Sequence, residues 1–299
     1  MTIRFGASPI AWINDDMPEL GGDTPVESVL QDIQEVGFSG VELGGKFPRN
    51  PDALRQLLGR YDLALVGGWY SSNLLTRSAA AEIEALRGHL ELLQAMGSSV
   101  FVIAETSNAI HGTRGCPLVS SPVLSEDEWG NFGERLTDVA EFIDRQGLHF
   151  AYHHHLGTVV ETAEELDRFL ATTGPHVGLT IDTGHAALGG IDAVNVIRMA
   201  PGRVAHVHCK DVRKNIFDAI MSEGASFLDG VLKGMFTVPG DGDLDFSPVF
   251  QALSDMNYSG WIIVEAEQDP AIADPRTYAQ LGLGVLRAQA GLSGLKEAA

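Results

Sequence analysis

Eight short β-rich runs, each followed by a helical pattern, constrain the fold of this chain more than any other feature. They are IRFGA (3–7), GVEL (40–43), ALVGGW (64–69), VFVIAE (100–105), HFAYHH (149–154), VGLTID (177–182), VAHVHC (204–209) and WIIVEAE (261–267). The amphipathic stretches between them have legible ends. TPVESVLQDIQEVGF opens on Thr24 as a cap, with Pro25 at the first helical position. SEDEWGNFGERLTDVAEFIDRQG pairs Ser125 with Glu128 as a capping box and stops at Gly147. TAEELDRFLATTG and DPRTYAQLGLGVLRAQAG follow the same rules, and Gly37, Gly97 and Gly147 each close a helix just before the next strand. Strands alternating with helices predict parallel pairing through right-handed crossovers. Eight such units in 299 residues, with no break in composition, predict one α/β domain over 1–299: a single (β/α)8 TIM barrel with a long loop after strand 7. A doubly wound open sheet is the rival, and no G-x-G-x-x-G follows the first run to support it.

In such a barrel the chemistry sits at the C-terminal ends of the strands. There the sequence places Glu42 and Lys46, Trp69, Glu105, His153 to His155, Asp182 and His185, His208 with Lys210 and Asp211, and finally Glu265 and Glu267. Charged groups are seldom buried unless paired or bound to metal. One acid at a strand end is unremarkable, but acids or histidines at four consecutive strand ends converge on one side of the barrel mouth. That pattern predicts a divalent metal site. The last inward-facing positions, His153, Asp182, His208 and Glu265, are the predicted ligands. In the run YHHHLGT, side chains alternate across the strand, so His153 and His155 share a face and His154 points away. His155 is the alternative to His153 and also a candidate to fix a ligand from outside. His206 shares a face with His208 but lies deeper, as a packed or hydrogen-bonded core residue.

Composition narrows the function. A formal charge of −20 repels nucleic-acid phosphates and anionic lipid, so neither partner is expected. No apolar stretch approaches the ~20 residues needed to span a bilayer, and the N-terminus shows no signal-peptide core. Two cysteines, Cys116 and Cys209, are too few for a disulfide framework and fit a reducing compartment. The expectation is a cytoplasmic protein.

The motifs SPIAWINDDMPELGG, YHHHLGT, DTGH, HVHCKDVR, SFLDGVLKGMFTVPGDGDLDFSPVF and WIIVEAEQDPA, spread along nearly the whole chain, resemble the inosose dehydratases of myo-inositol catabolism. D-x-x-H and H-V-H-x-K-D alone resemble the broader sugar isomerase/epimerase-like barrels. The resemblance implies a TIM barrel that uses a divalent metal, usually Mn2+ or Co2+. It implies loss of water from 2-keto-myo-inositol (scyllo-inosose), a cyclic keto-polyol, to give a trihydroxycyclohexane-1,2-dione. Asp182, His208 and Glu265 match superfamily ligands, whereas the fourth is commonly a glutamate where this chain has His153, which leaves His153, His154 and His155 open as its counterpart. Two carboxylates and two histidines would bring a divalent ion to neutrality, where three carboxylates would overshoot it. The less neutralised ion is the stronger Lewis acid. Barrels of this group often associate as homo-oligomers, and no interface is legible in the residues.

Removing water β to a ketone needs a base for a weakly acidic carbon proton and an acid for a poor leaving group. His185, Lys210 and Glu267 are the candidates for these proton transfers. Lys46, Trp69 and Glu105 on the opposite rim, with His155, are candidates to bind the substrate. The connection from Asp211 to Asp245 is long, carries P-G and D-G turns, and is expected to act as a lid. A metal-dependent sugar or inosose isomerase/epimerase is the main alternative. A phosphodiesterase wants a basic groove that this composition does not supply, and a non-catalytic sugar-binding barrel leaves the proton-transfer candidates unexplained.

Overall fold

The computed structural model describes residues 2–298. Its strands are β1 (Ile3–Ala7), β2 (Gly40–Val41), β3 (Ala64–Leu65), β4 (Trp69–Ser72), β5 (Val100–Glu105), β6 (His149–His153), β7 (Gly178–Asp182), β8 (Val204–Cys209), β9 (Asp211–Val212), β10 (Phe236–Thr237) and β11 (Gly260–Val264). Nine of them form one parallel sheet in the order β3-β2-β1-β11-β8-β7-β6-β5-β4. The two ends of that order are consecutive in the chain, separated only by Val66, Gly67 and Gly68, so the sheet closes into an α/β TIM barrel whose third strand is interrupted. The interruption runs through two glycines held close to their neighbours. A Cβ on Gly67 would fall 2.8 Å from both Cγ1 and the carbonyl oxygen of Val100, and one on Gly68 2.8 Å from Leu43 Cβ. Only a residue without a Cβ fits so close to these neighbours, and the Leu43 N–H still donates to the Gly67 carbonyl at 2.9 Å.

Helices cover the outside of the barrel. The helix Glu126–Arg145 begins with the predicted capping box: the Glu128 carboxylate accepts from Ser125 N at 2.8 Å, and Ser125 Oγ accepts from Glu128 N at 3.4 Å. Its Trp129, Phe132, Leu136, Val139 and Ile143 recur at helical spacing and are buried. Gly37, Gly97 and Gly147 adopt φ of 101°, 73° and 87°, the left-handed conformation expected of helix-closing glycines. The first long helix departs from expectation. Pro25 has ψ 138° and precedes the helix Val26–Val36, and no side chain caps it. Its carbonyl instead accepts from Ser28 and Val29 at 3.0 and 3.3 Å.

Two apolar layers result. The larger lies between sheet and helices. The smaller fills the barrel axis with Val66, Val100, Val102, Ala151, Trp261 and Ile263. The Trp261 ring occupies the space that a Cβ on Gly40 would need, 2.6 Å away. The connection Asp211–Asp245 is built rather than irregular. It contains the helices Lys214–Glu223 and Phe227–Leu232 and the antiparallel pair β9–β10. It also seals a satellite core of Met17, Leu118, Leu156, Val212, Phe227 and Phe236.

Candidate active site

The ends of β6, β7, β8 and β11 lie side by side, as parallel pairing requires. Asp182 and His208 are partners across β7 and β8, and the backbone N–H of Glu265 donates to the Cys209 carbonyl at 3.3 Å. One donor atom from each of His153, Asp182, His208 and Glu265 falls within 4.8 Å of the others, and all four side chains are buried. His153 Nε2 stands 3.5 Å from Asp182 Oδ2, His208 Nδ1 3.7 Å from the same oxygen and 3.0 Å from Glu265 Oε2.

Asp182 divides its work between its two oxygens. Oδ1 accepts from the backbone N–H groups of Gly184 and His185 at 2.9 Å each, while Oδ2 has no hydrogen-bond partner. His208 Nδ1 is also unpartnered despite its short distance to Glu265, because the two are not aligned for a hydrogen bond. Close approach without alignment is the arrangement of donors aimed at a common third body. Two imidazoles and two carboxylates suit a borderline divalent ion, so the residues present fit a metal. His155 is turned to other partners: its Nδ1 meets the Leu156 carbonyl at 2.7 Å and its ring lies 3.8 Å from that of His185. His154 belongs to none of the His/Asp/Glu clusters found among the described residues.

Glu42, noted at a strand end but given no role by the sequence, stands behind this group. Its Oε1 accepts from His206 Nε2 and His208 Nε2, both at 3.0 Å. Burial pushes Glu42 up, but the charge on His208 and the two imidazole hydrogen bonds outweigh it and hold the carboxyl at about 2. Burial likewise disfavours charge on His208, and the Glu42 and Glu265 carboxylates reverse this, holding it well above the ordinary range. The surroundings favour positive charge at this point.

The three proton-transfer candidates form a second cluster. Lys210 Nζ lies 2.6 Å from Glu265 Oε1, 2.7 Å from Glu267 Oε1 and 3.1 Å from His185 Nε2. Burial opposes the Lys210 charge, and the flanking carboxylates raise its pKa regardless. Burial raises Glu267 to about 7 against the pull of Lys210, and lowers His185 well below the ordinary histidine value. The Leu156 N–H donates to His185 Nδ1 at 3.2 Å, which puts the proton of a neutral ring on Nε2, facing Nζ. With its proton on Nε2, His185 offers Lys210 no lone pair, so the Lys210 charge is held by Glu265 and Glu267, and Glu267, near 7, is the member of the trio poised to exchange a proton.

A cavity of about 380 Å³ opens above both clusters, of a size for one small ring. Trp69, His153, His155, His208, Glu265 and Glu267 line it. Asp182, His185 and Lys210 lie beneath its wall. Trp69 is 38% exposed and its ring stands 5.4 and 5.8 Å from those of His153 and His155. Lys46 does not reach the cavity, since its Nζ contacts the Gly22 carbonyl on the surface. Glu105 is also turned away: it accepts from Ser72 Oγ, Leu74 N and Ser107 N at 2.7–2.8 Å and is fully buried. In their place the cavity is lined by Asp15, Asp16, Arg49 and His111, on loops where the sequence carries no recognisable signal for a site. The approach of His111 depends on Gly157, φ 77°, where a Cβ would fall 2.9 Å from His111 N.

Comparison with known proteins identifies the family. Residues 30–289 match the family model described as xylose isomerase-like TIM barrel. The rhizopine catabolism protein MocC of Rhizobium meliloti is 45% identical, over 99% of this chain and 91% of its own. The inosose dehydratase of Clostridium perfringens is 42% identical, over 93% of this chain and 94% of its own. Among solved structures, D-allulose 3-epimerase from Methylomonas sp. superposes with a TM-score of 0.68 at 17% identity, covering 96% of this chain and 97% of that one, a likeness of fold.

Proposed function

Since the chain belongs to the xylose isomerase-like TIM barrel family, we propose that it is an inosose dehydratase, removing water from 2-keto-myo-inositol to give a trihydroxycyclohexane-1,2-dione. Relatives named inosose dehydratase, 42% and 40% identical over nearly the whole chain, support the reaction. The observation in the structure that carries it is the meeting of two buried clusters under one ring-sized cavity: a quartet fit for a cation and a trio fit to move a proton.

In this reading His153, Asp182, His208 and Glu265 hold a divalent ion, Mn2+ or Co2+. When bound, the ion supplies Lewis-acid stabilisation of negative charge on the substrate's carbonyl oxygen. Trp69 presents an apolar face to the ring carbons, and His155 bounds the cavity beside it. Glu267 lines the cavity and, with a pKa of about 7, both accepts and returns a proton near neutrality. It takes the proton from the carbon next to the ketone. It then gives that proton to the leaving hydroxyl, which departs as water, while Lys210, 2.7 Å from the carboxylate, and His185 behind it hold Glu267 in place and steady its charge. The substrate is a neutral small molecule, in keeping with five carboxylates among the cavity-lining residues: Asp15, Asp16, Glu42, Glu265 and Glu267.

The test is metal-stripped protein reloaded with Mn2+, Co2+, Zn2+ or Mg2+ and supplied with scyllo-inosose. The conjugated product absorbance is expected only in reloaded samples. Turnover that ignores the metal, or isomerised product without loss of water, would overturn the reading.

A further inference from the structure

Lys210 is fully buried, and what sets its position is a two-residue saddle in the DTGH motif. The Thr183 hydroxyl accepts from Lys210 N at 3.0 Å and donates to Lys210 O at 2.7 Å. Asp182 and His208 are the last paired residues of β7 and β8, so this side chain carries the pairing past the end of the ladder. The next residue, Gly184, lies flat against the lysine stem. A Cβ there would fall 2.8 Å from Lys210 Cγ and 3.0 Å from its Cβ and Cδ. These are the near atoms of a buried side chain rather than a free end, so the stem would have to move. From this seat Nζ reaches Glu265, Glu267 and His185, and stands 4.6 Å from the centre of the Phe236 ring. Neither Thr183 nor Gly184 lines the cavity.

We infer that Thr183 and Gly184 are positioning residues that act on the reaction through Lys210. Thr183 fixes its backbone and Gly184 the path of its stem. The kinetic part of this inference rests on the dehydratase reading, and the packing part does not.

The kinetic test compares Thr183→Val, Thr183→Ser and Lys210→Met in metal-loaded protein, with metal content measured for each. Thr183→Val is expected to keep its metal and its KM within about twofold while kcat falls about ten- to hundredfold, the loss expected of a slightly misplaced group. Thr183→Ser, which retains the hydroxyl, is expected to stay near the parent rate, and Thr183→Val in the Lys210→Met background to cost nothing more. An unchanged kcat in Thr183→Val, or losses that multiply in the double variant, would overturn the inference. The packing test uses urea unfolding of Gly184→Ala alone and with Lys210→Ala, which removes the Cγ and Cδ that the new methyl would strike. The second change is expected to restore part of the midpoint lost to the first, and no restoration would overturn the saddle. If the parent protein turns over no inosose with any metal, the dehydratase reading falls and the unfolding result decides this inference by itself.

Discussion

Glu42 Oε1 accepts a 3.0 Å hydrogen bond from His208 Nε2, and this single contact decides which nitrogen of His208 faces the metal quartet. With the Nε2 proton committed to Glu42, Nδ1 is the nitrogen turned toward Asp182 and Glu265, and a metal bound there would displace the second proton that these carboxylates favour. Glu42→Gln keeps the shape and an acceptor oxygen but removes the charge that makes the imidazole a better donor. We expect metal affinity to weaken about 10- to 100-fold, read by titration calorimetry on stripped protein. Unchanged affinity would remove Glu42 from the account.

Asp182→Asn separates folding from metal binding. The remaining amide oxygen can still accept from Gly184 and His185, as Oδ1 does at 2.9 Å, so the thermal midpoint should move little. The charge at Oδ2 is lost, and metal affinity should fall by about 100-fold or more, past the range found for outer partners. A variant that binds metal as the parent does would exclude Asp182 as a ligand.

Trp69 contributes contact area rather than chemistry. Trp69→Ala should raise KM about tenfold with a smaller effect on kcat, and Trp69→Phe should fall between, since a smaller ring covers less of the substrate. A loss confined to kcat would contradict this.

Stability should fall on acidification because several histidines are buried neutral. His89, partly buried against the Gly68 carbonyl, is the clearest case away from the site. Burial depresses it to about 4, outweighing the contact of its Nε2 with the Gly68 carbonyl at 3.2 Å. The unfolded chain takes up this proton near pH 6.5 and the folded one only near 4. The contribution is therefore complete above about 6.5 and is lost as pH falls toward 4, at a cost on the order of 3 kcal/mol for this one group. Urea midpoints measured from pH 7.5 to 4.5 should drop, and His89→Gln should drop less steeply. Parallel curves would show that His89 is not the titrating group.

The barrel was legible because strand and helix periods alternate and the helix ends carry local signals that do not depend on the rest of the chain. Where expectation and structure part, a tertiary contact intervenes. The third strand is interrupted at Gly67 and Gly68, where Val100 and Leu43 leave room for no Cβ, and the eighth ends at Val264, before Glu265. At the site, side chains on strand ends could be read, since parallel pairing alone brings those ends together. Asp15, Asp16, Arg49 and His111 could not, because the paths of their loops are set by long-range packing such as that of Gly157 on His111. Glu105 shows the reverse: an acid at a strand end was legible, but not that Ser72, Leu74 and Ser107 already occupy both its oxygens.

Trp261 plugs the barrel axis, and Val102, which belongs to the same apolar stack, forms part of the cavity floor. Traffic is thereby confined to the loop-bearing face. In a dehydration the ring and the expelled water must then share one doorway, and a water still inside when the dione forms is held beside the double bond it has just left. An enzyme built this way gains from letting the water go first.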